Sequence, residues 1–200
     1  KKNLKYFTQS KIRWSKVLNF KSKLPSIIYS NEFFDCFPVR QFFNDNNHWF
    51  ERYVEFNEKE NKYYSINKPV ISKKVLVYLR KYKKQKIYEV SYSRNKYFEQ
   101  ICKYLRKNRG MCILIDYGYN VKIKNFTLQA IYNHKKTSIF ENIGQQDISS
   151  HVNFNELIEI AKQNKLKINE FVSQRDFLIK YGILERKKKL LPKNSNLNKN

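Results

Sequence analysis

The sequence predicts an α/β fold whose main sheet is mostly parallel, and three observations support this prediction. Residues 26–30 and 111–116 are short apolar runs of the kind that form buried strands. Each run ends in polar residues and a turn, and segments with a helical period of apolar residues lie after each of them. The chain has 200 residues, 41% of them hydrophobic, which is enough for one compact domain.

The first quarter of the sequence predicts two short strands and a single helical turn after the second of them. Residues 11–14 are a candidate strand, and residues 26–30 form a second one directly after Pro25. Asn31 can cap a turn after that strand, and Pro38 limits any helix there to about one turn.

The next segment predicts a β-hairpin followed by a loop. Residues 39–43 have an extended pattern, residues 44–48 are polar, and residues 49–56 alternate as a strand does. Residues 57–74 are polar and are expected to form a loop. Residues 86–92 predict a further short strand.

Helices alternate with one strong strand over the rest of the chain. Residues 97–107 have a helical period that ends at Arg109 and Gly110, and the strand at 111–116 is expected to be buried on both faces. Two more helices are predicted at 155–165 and at 175–181, where Gly182 ends the second. We predict a single domain over residues 1–186 and a basic, disordered tail over residues 187–200.

The chain is strongly basic, with 41 Lys and Arg against 17 Asp and Glu and a formal net charge of +24. Such a charge is typical of proteins that bind polyanions. Codon bias in an AT-rich genome also enriches Lys and Asn, and we expect it to account for most of the charge. A specific nucleic-acid partner is therefore not predicted. No apolar run approaches the roughly 20 residues of a membrane span.

The three cysteines, Cys36, Cys102 and Cys112, form no C-x-x-C pair. Their number is odd and small, which indicates a reducing compartment. We expect all three to be small buried apolar side chains.

A candidate ligand site follows from the predicted sheet. In parallel α/β sheets, ligands bind beyond the carboxyl ends of the strands. The two apolar strands end at Asn31–Glu32 and at Asp116–Tyr117, so these residues are expected to line one crevice.

Seven sequence blocks, in order, carry a resemblance to a known family. They are N-E-F-F-D-C-F-P-V-R-Q-F at 31–42, W-F-E-R at 49–52, E-V-S at 89–91, L-I-D-Y-G at 114–118, T-L-Q-A at 127–130 followed by His134, D-I-S-S-H-V-N-F at 147–154, and F-L at 177–178 followed by Gly182. This pattern resembles the MidA-type S-adenosylmethionine-dependent methyltransferases, a family that includes the mitochondrial complex I assembly factor that methylates a protein arginine. The order of the blocks is more specific than any single motif.

The resemblance implies a partial class I (Rossmann-like) methyltransferase sheet with an inserted β-hairpin or α+β segment. It also implies S-adenosyl-L-methionine as cofactor and a protein substrate with arginine as the methyl acceptor, for which a subunit of respiratory complex I is a candidate. The site residues that it implies are catalytic Asn31, Glu32 and Asp35, cofactor-binding Asp116, Tyr117 and Gly118, and a substrate pocket of Thr127, Gln129, His134, Asp147 and His151.

The chain also departs from the family pattern. Its four glycines form no G-x-G, so the family's glycine-rich cofactor loop has no match. The family's first strands and its ribose-binding acid have no match either. Asn153 replaces an acid of the family, and the family's C-terminal segment is missing. We therefore expect the latter part of such an enzyme, a fragment inactive without an upstream cofactor-binding segment.

Simpler interpretations stay open for several residues. Glu32 and Asp35 have the spacing to share one face of a helical turn and could hold a guanidinium, or they could only favour a helix dipole. His134, Asp147 and His151 could form a structural cluster, a base with its orienting partner, or a metal site, although no zinc spacing is present.

The function classes also stay open. A non-catalytic remnant that binds a protein partner and a basic nucleic-acid-binding module are the alternatives to a methyltransferase. A homodimer is compatible with the sequence. The expected location is the cytoplasm for a bacterial protein and the mitochondrion for a eukaryotic one.

Overall fold

The computed structural model describes residues 14, 15, 18 and 23–191. The strand predicted at 11–14 lies outside these residues except for Trp14, and most of the predicted tail lies outside them as well. Within the described part, eleven strands form four small sheets, and five α-helices surround them. No helix of this part is long and apolar enough to cross a membrane.

The parallel pair predicted from the two apolar runs is confirmed. Strand β1 (Ser26–Asn31) lies beside strand β6 (Gly110–Ile115), with Ser26 opposite Gly110 and Asn31 opposite Ile115. The prediction that both strands are buried is wrong, because Ile27 is 74% exposed. Alternate side chains of β1 face the open side of this two-stranded sheet, so only one face is covered.

The largest sheet of the described residues is antiparallel, so the prediction of a mostly parallel sheet is wrong. Its strand order is β4-β3-β2-β5. The strands are β2 (Arg40–Asp45), β3 (His48–Asn57), β4 (Lys62–Pro69) and β5 (Ile87–Val90).

The predicted hairpin is confirmed as β2 and β3, which meet at a two-residue turn of Asn46 and Asn47. Both asparagines have positive φ, the conformation that a tight hairpin turn requires. The loop predicted at 57–74 is wrong, since β4 pairs with β3 over all eight of its residues. Tyr63 and Tyr64 are strand-forming residues within a segment that looks polar overall.

The five helices of the described part are α1 (Lys73–Leu79), α2 (Tyr92–Asn108), α3 (Phe154–Gln163), α4 (Gln174–Lys180) and α5 (Ile183–Leu190). Three of them, α2, α3 and α4, were predicted from their apolar periods, whereas α1 and α5 were not predicted. Helix α2 begins earlier than predicted because the Ser91 side chain accepts a hydrogen bond from the Arg94 backbone N–H and caps the helix. The boundary predicted after residue 186 falls inside α5, where the basic run continues the helix.

Two short sheets were not predicted. Strands β8 (Gln129–Tyr132), β9 (Lys135–Thr137) and β10 (Asp147–Ser149) form an antiparallel sheet, in the order β10-β8-β9. Strands β7 (Gly118–Tyr119) and β11 (Val152–Asn153) form a parallel pair. These strands are two to four residues long, which is too short for a pattern of alternation to appear in the sequence.

Two hydrophobic clusters stabilise the described part. The first contains Phe34 and the inner face of α2 and α3, and the second contains Phe42, Trp49 and Leu79 beneath the antiparallel sheet. Cys102 is buried in the first cluster, as predicted, whereas Cys36 is exposed, contrary to the prediction. Cys36 lies in a surface turn, where its Sγ contacts the Phe33 carbonyl oxygen at 3.0 Å.

Candidate active site at the ends of two parallel strands

The carboxyl ends of β1 and β6 meet, as the sequence predicts. The backbone N–H of Glu32 donates to the carbonyl oxygen of Ile115 at 2.9 Å and extends the ladder one residue past β1. The Phe34 N–H then donates to Oδ2 of Asp116 at 2.8 Å. These bonds place the Asn31–Glu32 turn directly beside the start of the 116–117 turn, and we call this region the strand-end site.

Glu32 has the most unusual backbone of the strand-end site. Its φ is 46°, a left-handed conformation that non-glycine residues rarely adopt. The residue is exposed, and no hydrogen bond to its carboxylate is found among the described residues. Strained backbone of this kind concentrates at functional sites, because surrounding structure must hold it in place.

Asp35 lies in a turn and not on a helix. The prediction that Glu32 and Asp35 share one helical face is therefore wrong. The carbonyl oxygen of Asp35 accepts the Ser150 N–H at 3.0 Å, which ties this turn to the segment before β11. Asn31 is the last residue of β1 and is exposed. Glu32 and Asp35 follow it in the bend and turn after the strand.

Asp116 connects the two turns through both of its carboxylate oxygens. Oδ2 accepts the Phe34 N–H, and Oδ1 accepts the N–H of Tyr117 at 2.9 Å. Burial raises the pKa of Asp116, and the neighbouring charge of Asp35 also raises it, while the backbone N–H groups act in the opposite direction. Backbone N–H groups already bind both oxygens, so the main role of Asp116 is to fix the geometry of the two turns.

Tyr117 and Gly118 differ sharply in the space around them. The Tyr117 side chain is 59% exposed at the end of β6. A Cβ at Gly118 would lie 2.4 Å from the carbonyl oxygen of Val152 and 2.5 Å from the ring of Phe154. Gly118 therefore allows β7 to approach β11 closely, a packing requirement that does not depend on a cofactor.

Thr127 and His151 belong to one buried polar network centred on Glu89, a residue that is 2% exposed. The Glu89 carboxylate accepts the Thr127 N–H at 2.9 Å and its Oγ1–H at 2.5 Å, and also the Gln41 amide at 2.6 Å. Thr127 Oγ1 in turn accepts the backbone N–H of His151 at 3.0 Å. The sequence motifs included Glu89 and Gln41, but only the fold reveals that Glu89 is the centre of the network.

The remaining predicted pocket residues are spread over the three-stranded sheet. Gln129 pairs with Ser149 across β8 and β10, and the exposed Asp147 pairs with Ile131. His134 is exposed at the tip of the β8–β9 hairpin with a φ of 60°.

No hydrogen bond joins His134, Asp147 and His151 in the described part of the chain. Among residues 14, 15, 18 and 23–191, no group of three or more His, Cys, Asp or Glu could hold a metal ion. Of the predicted pocket residues, the structure joins only Thr127 and His151 by a hydrogen bond.

Arg94 is the central residue that the sequence did not reveal. It is 3% exposed, and its guanidinium donates to the Phe34 carbonyl at 2.7 Å, to Ser150 Oγ at 3.0 Å and to the His151 carbonyl at 3.4 Å. Burial lowers the pKa of Arg94, and the nearby groups Tyr119, Glu156, Asp116 and Glu89 oppose that shift. A single arginine at the start of a helical segment gives no sequence signal for such a role, because its partners are 56 to 60 residues away along the chain.

Comparison with known proteins places this arrangement in a family. Residues 1–172 match the model of the family described as "Putative S-adenosyl-L-methionine-dependent methyltransferase". The chain belongs to this family. The resemblance inferred from the seven sequence blocks is thereby confirmed.

Two curated relatives are mitochondrial protein arginine methyltransferases. The chain is 27% identical over 169 residues to the NDUFAF7 homologue of Caenorhabditis elegans, a match that spans 83% of this chain and 39% of that protein. It is 24% identical over 172 residues to NDUFAF7 of Danio rerio, which spans 84% of this chain and 40% of that protein. The chain thus spans about two fifths of the length of the curated relatives that it matches.

Two solved structures from Burkholderia thailandensis have the same fold. The match to one of them covers 91% of this chain and 50% of the solved chain, with a TM-score of 0.76 and 21% sequence identity. The other belongs to the same superfamily and was solved with S-adenosyl-homocysteine bound. The match to it covers 90% of this chain and 48% of the solved chain, with a TM-score of 0.73 and 21% sequence identity. The mixed α/β architecture described above is therefore a fold that is already known from solved structures.

Proposed function

We propose that this chain carries the acceptor side of an S-adenosylmethionine-dependent protein methyltransferase that acts on arginine. The observation that carries the proposal is the exposed Glu32 carboxylate, which the strained turn after β1 presents beside the end of β6. Family membership supports the reaction class, and the names of the curated relatives support a protein arginine as the acceptor.

The chemistry requires a group that binds a cation and accepts a proton. An arginine guanidinium stays protonated in solution, with a pKa above about 12, and must lose a proton as its nitrogen is methylated. A carboxylate can hold the guanidinium through two hydrogen bonds and take that proton. We assign this role to Glu32, with Asp35 as a second carboxylate on the same turn and Asn31 as an amide that orients the acceptor.

The cofactor would supply an electrophilic methyl group, and the protein must align it with the acceptor nitrogen. Tyr117 is the side chain at the end of β6 with room for such a contact, since it is 59% exposed. Asp116 would position the loops through its two backbone hydrogen bonds. Gly118 allows β7 to lie close to β11, and a side chain at this position would meet Val152 and Phe154. The 200 residues contain no G-x-G, so we propose that a glycine-rich loop outside them completes the cofactor site.

The cellular location follows from the names of the relatives, and the choice of substrate follows from the family resemblance of the sequence blocks. We propose a subunit of respiratory complex I as the protein substrate, and the mitochondrion as the location if the protein is eukaryotic. Both curated relatives are named as mitochondrial proteins.

A calorimetric titration with S-adenosylmethionine tests the cofactor part of this proposal. It should be made on the 200-residue chain and on a chain extended through the adjoining coding sequence. Binding by the extended chain alone would support a cofactor site that is completed outside these residues. Absence of binding in both would contradict the proposal and favour a non-catalytic remnant.

Glu32→Gln tests the catalytic assignment, because it removes the charge and keeps the size of the side chain. The assay uses the extended chain, once it has been shown to bind the cofactor, and we expect its methyl transfer to an arginine peptide to fall at least about 100-fold, the lower range for loss of a general base. Glu58→Gln is the matched control, since Glu58 is an exposed residue of the β3–β4 turn. Equal activities of the two variants would contradict the role of Glu32.

A further inference from the structure

A cleft lies against strand β7 and the start of α3, and Tyr119 of its wall follows Asp116 by three residues in the sequence. It has a volume of about 310 Å³, and we call it the tyrosine cleft. The residues of its wall that matter here are Tyr82, Tyr88, Tyr119, Asn153, Glu156 and Glu159. Its volume lies at the small end of the range for ligand sites, about 300 to 1,000 Å³, which suits a single side chain better than a nucleotide.

Asn153 has an unsatisfied acceptor within this wall. The residue is 8% exposed, and its Oδ1 is buried without a hydrogen-bond partner. Asn153 is the N-cap residue of α3, yet its side chain makes no capping hydrogen bond. A buried carbonyl oxygen without a donor is costly, so a donor from a bound group would stabilise it.

Glu156 gives the cleft a buried carboxylate. It is 7% exposed and accepts hydrogen bonds from Tyr78 at 2.9 Å, from Tyr88, and from the Asn95 amide at 3.0 Å. None of the ion pairs within the described residues involves Glu156. Its four lone-pair sites leave room for one further donor.

The aromatic walls complete a site for a planar cation. The rings of Tyr82 and Tyr88 stack with centroids 3.8 Å apart, so each covers one face of the other, and Tyr119, the register partner of Asn153 in the β7–β11 pair, adds a third ring to the wall. Burial, together with the nearby carboxylates of Glu89 and Glu156, raises the pKa of Tyr119 and keeps its phenol neutral. Neutral tyrosine faces attract cations, and a planar guanidinium can stack on them.

The local charge also favours a cation. The protein carries a net charge of +24, but this cleft has the carboxylates of Glu156 and Glu159 against the single exposed Lys122. An anion at the N-terminus of α3 would face both of these carboxylates, because they occupy the first two turns of that helix.

We propose that the tyrosine cleft binds a guanidinium side chain, with Asn153 Oδ1 and the Glu156 carboxylate as the acceptors. The choice of arginine rests on the proposed function, whereas the preference for a planar cation rests on the cleft itself.

The test is a titration of the 200-residue chain, without cofactor, with N-acetyl-arginine amide and with its neutral isostere N-acetyl-citrulline amide. We expect binding of the arginine compound that exceeds binding of the citrulline compound by about tenfold or more. Asn153→Asp adds a charge at the unsatisfied acceptor and should tighten arginine binding several-fold, while Asn153→Ala should weaken it.

Glu156→Gln should weaken arginine binding about tenfold, with Glu185→Gln on α5 as the control. Circular dichroism shows whether each variant is folded. If Glu156→Gln does not fold, Asn153→Asp tests the proposal by itself. Equal binding of the two compounds, no binding of either, or no effect of Asn153→Asp would overturn the inference. Because the assay needs no methyl transfer, it can fail while Glu32→Gln still abolishes activity, and the reverse can also occur.

Discussion

The backbone N–H of Phe34 donates to Oδ2 of Asp116 at 2.8 Å, although the two residues are 82 positions apart. Phe34 is 1% exposed, so water cannot replace this acceptor. One carboxylate therefore joins the turn after β1 to the turn after β6, and it fixes the geometry of the strand-end site.

Asp116→Ala should destabilise the protein by about 1 to 3 kcal/mol, because it leaves the N–H groups of Phe34 and Tyr117 without their acceptor. The measurement is urea unfolding followed by circular dichroism. Asp147→Ala is the control, since Asp147 is an exposed residue of β10, and its effect should stay within about 0.5 kcal/mol. Similar losses in both variants would contradict a connecting role for Asp116.

The raised pKa of Asp116 also predicts a pH dependence. Because burial raises this pKa, the folded protein binds the proton more tightly than the unfolded chain does. The resulting stability is present below the ordinary aspartate pKa and is lost as the pH rises through the raised value. The free energy of unfolding of the wild type, relative to Asp116→Asn, should therefore fall as the pH rises from about 3 to 7. A difference that rises over this range would contradict the burial argument.

Gly118→Ala should destabilise the protein strongly, by about 3 kcal/mol or more, at the upper end of the range for overpacking. The new Cβ would lie 2.4 Å from the Val152 carbonyl oxygen, and this backbone contact cannot move away as a flexible side chain could. Gly144→Ala is the control, because Gly144 has a φ of 81° but no neighbouring atom within 4 Å of the place that a Cβ would occupy. It should cost only the conformational penalty of about 1 to 2 kcal/mol, and an equal loss in both variants would contradict the steric explanation.

The sequence was sufficient for the parts of the fold that depend on local pattern. The apolar runs of β1 and β6 and the periods of α2 and α3 are local properties, and the meeting of Asn31–Glu32 with residues 116–117 follows from them. Strand β4 was missed because its tyrosines lie among Lys, Asn and Glu, and its stability comes from pairing with β3.

The site was less predictable because its key contacts are not local. Arg94 contacts the Phe34 carbonyl and Ser150, and the fold alone brings these groups together. His134 is a counterexample: it belongs to a recognised sequence block, yet it lies exposed at a hairpin tip. A motif therefore indicates the family, while the position of each side chain depends on the packing around it.

Arg94→Lys should lower the free energy of unfolding by about 2 to 4 kcal/mol, since a lysine cannot reach the carbonyl of Phe34, Ser150 Oγ and the carbonyl of His151 together. Arg52→Lys is the control, because Arg52 is exposed and its guanidinium lies 4.3 Å from the centre of the Phe126 ring. That variant should lose no more than about 1 kcal/mol. Denaturant unfolding compares the two, and a smaller loss for Arg94→Lys than for Arg52→Lys would rule out a central role for Arg94.

Glu51 should give a pH dependence of the opposite sign to Asp116. Arg40 binds its carboxylate through two hydrogen bonds of 2.5 and 2.6 Å, and Tyr53 adds a third of 2.7 Å. Burial acts to raise the pKa of Glu51, but these hydrogen bonds outweigh it and the pKa is lowered. The stability from this group is therefore present above the ordinary glutamate pKa and is lost as the pH falls through the lowered value.

Glu51→Gln should accordingly cost about 1 to 3 kcal/mol at pH 7 and progressively less under acid conditions. Glu55→Gln on the same strand is the control, because Glu55 and Lys68 are 3.8 Å apart with side chains 60% and 58% exposed. Such exposed pairs contribute at most about 1 kcal/mol, and less at high salt. Urea unfolding of both variants between about pH 3 and pH 7 separates the two cases. A cost for Glu51→Gln that stays constant across this range would mean that packing, and not the charge held by Arg40, stabilises this part of the antiparallel sheet.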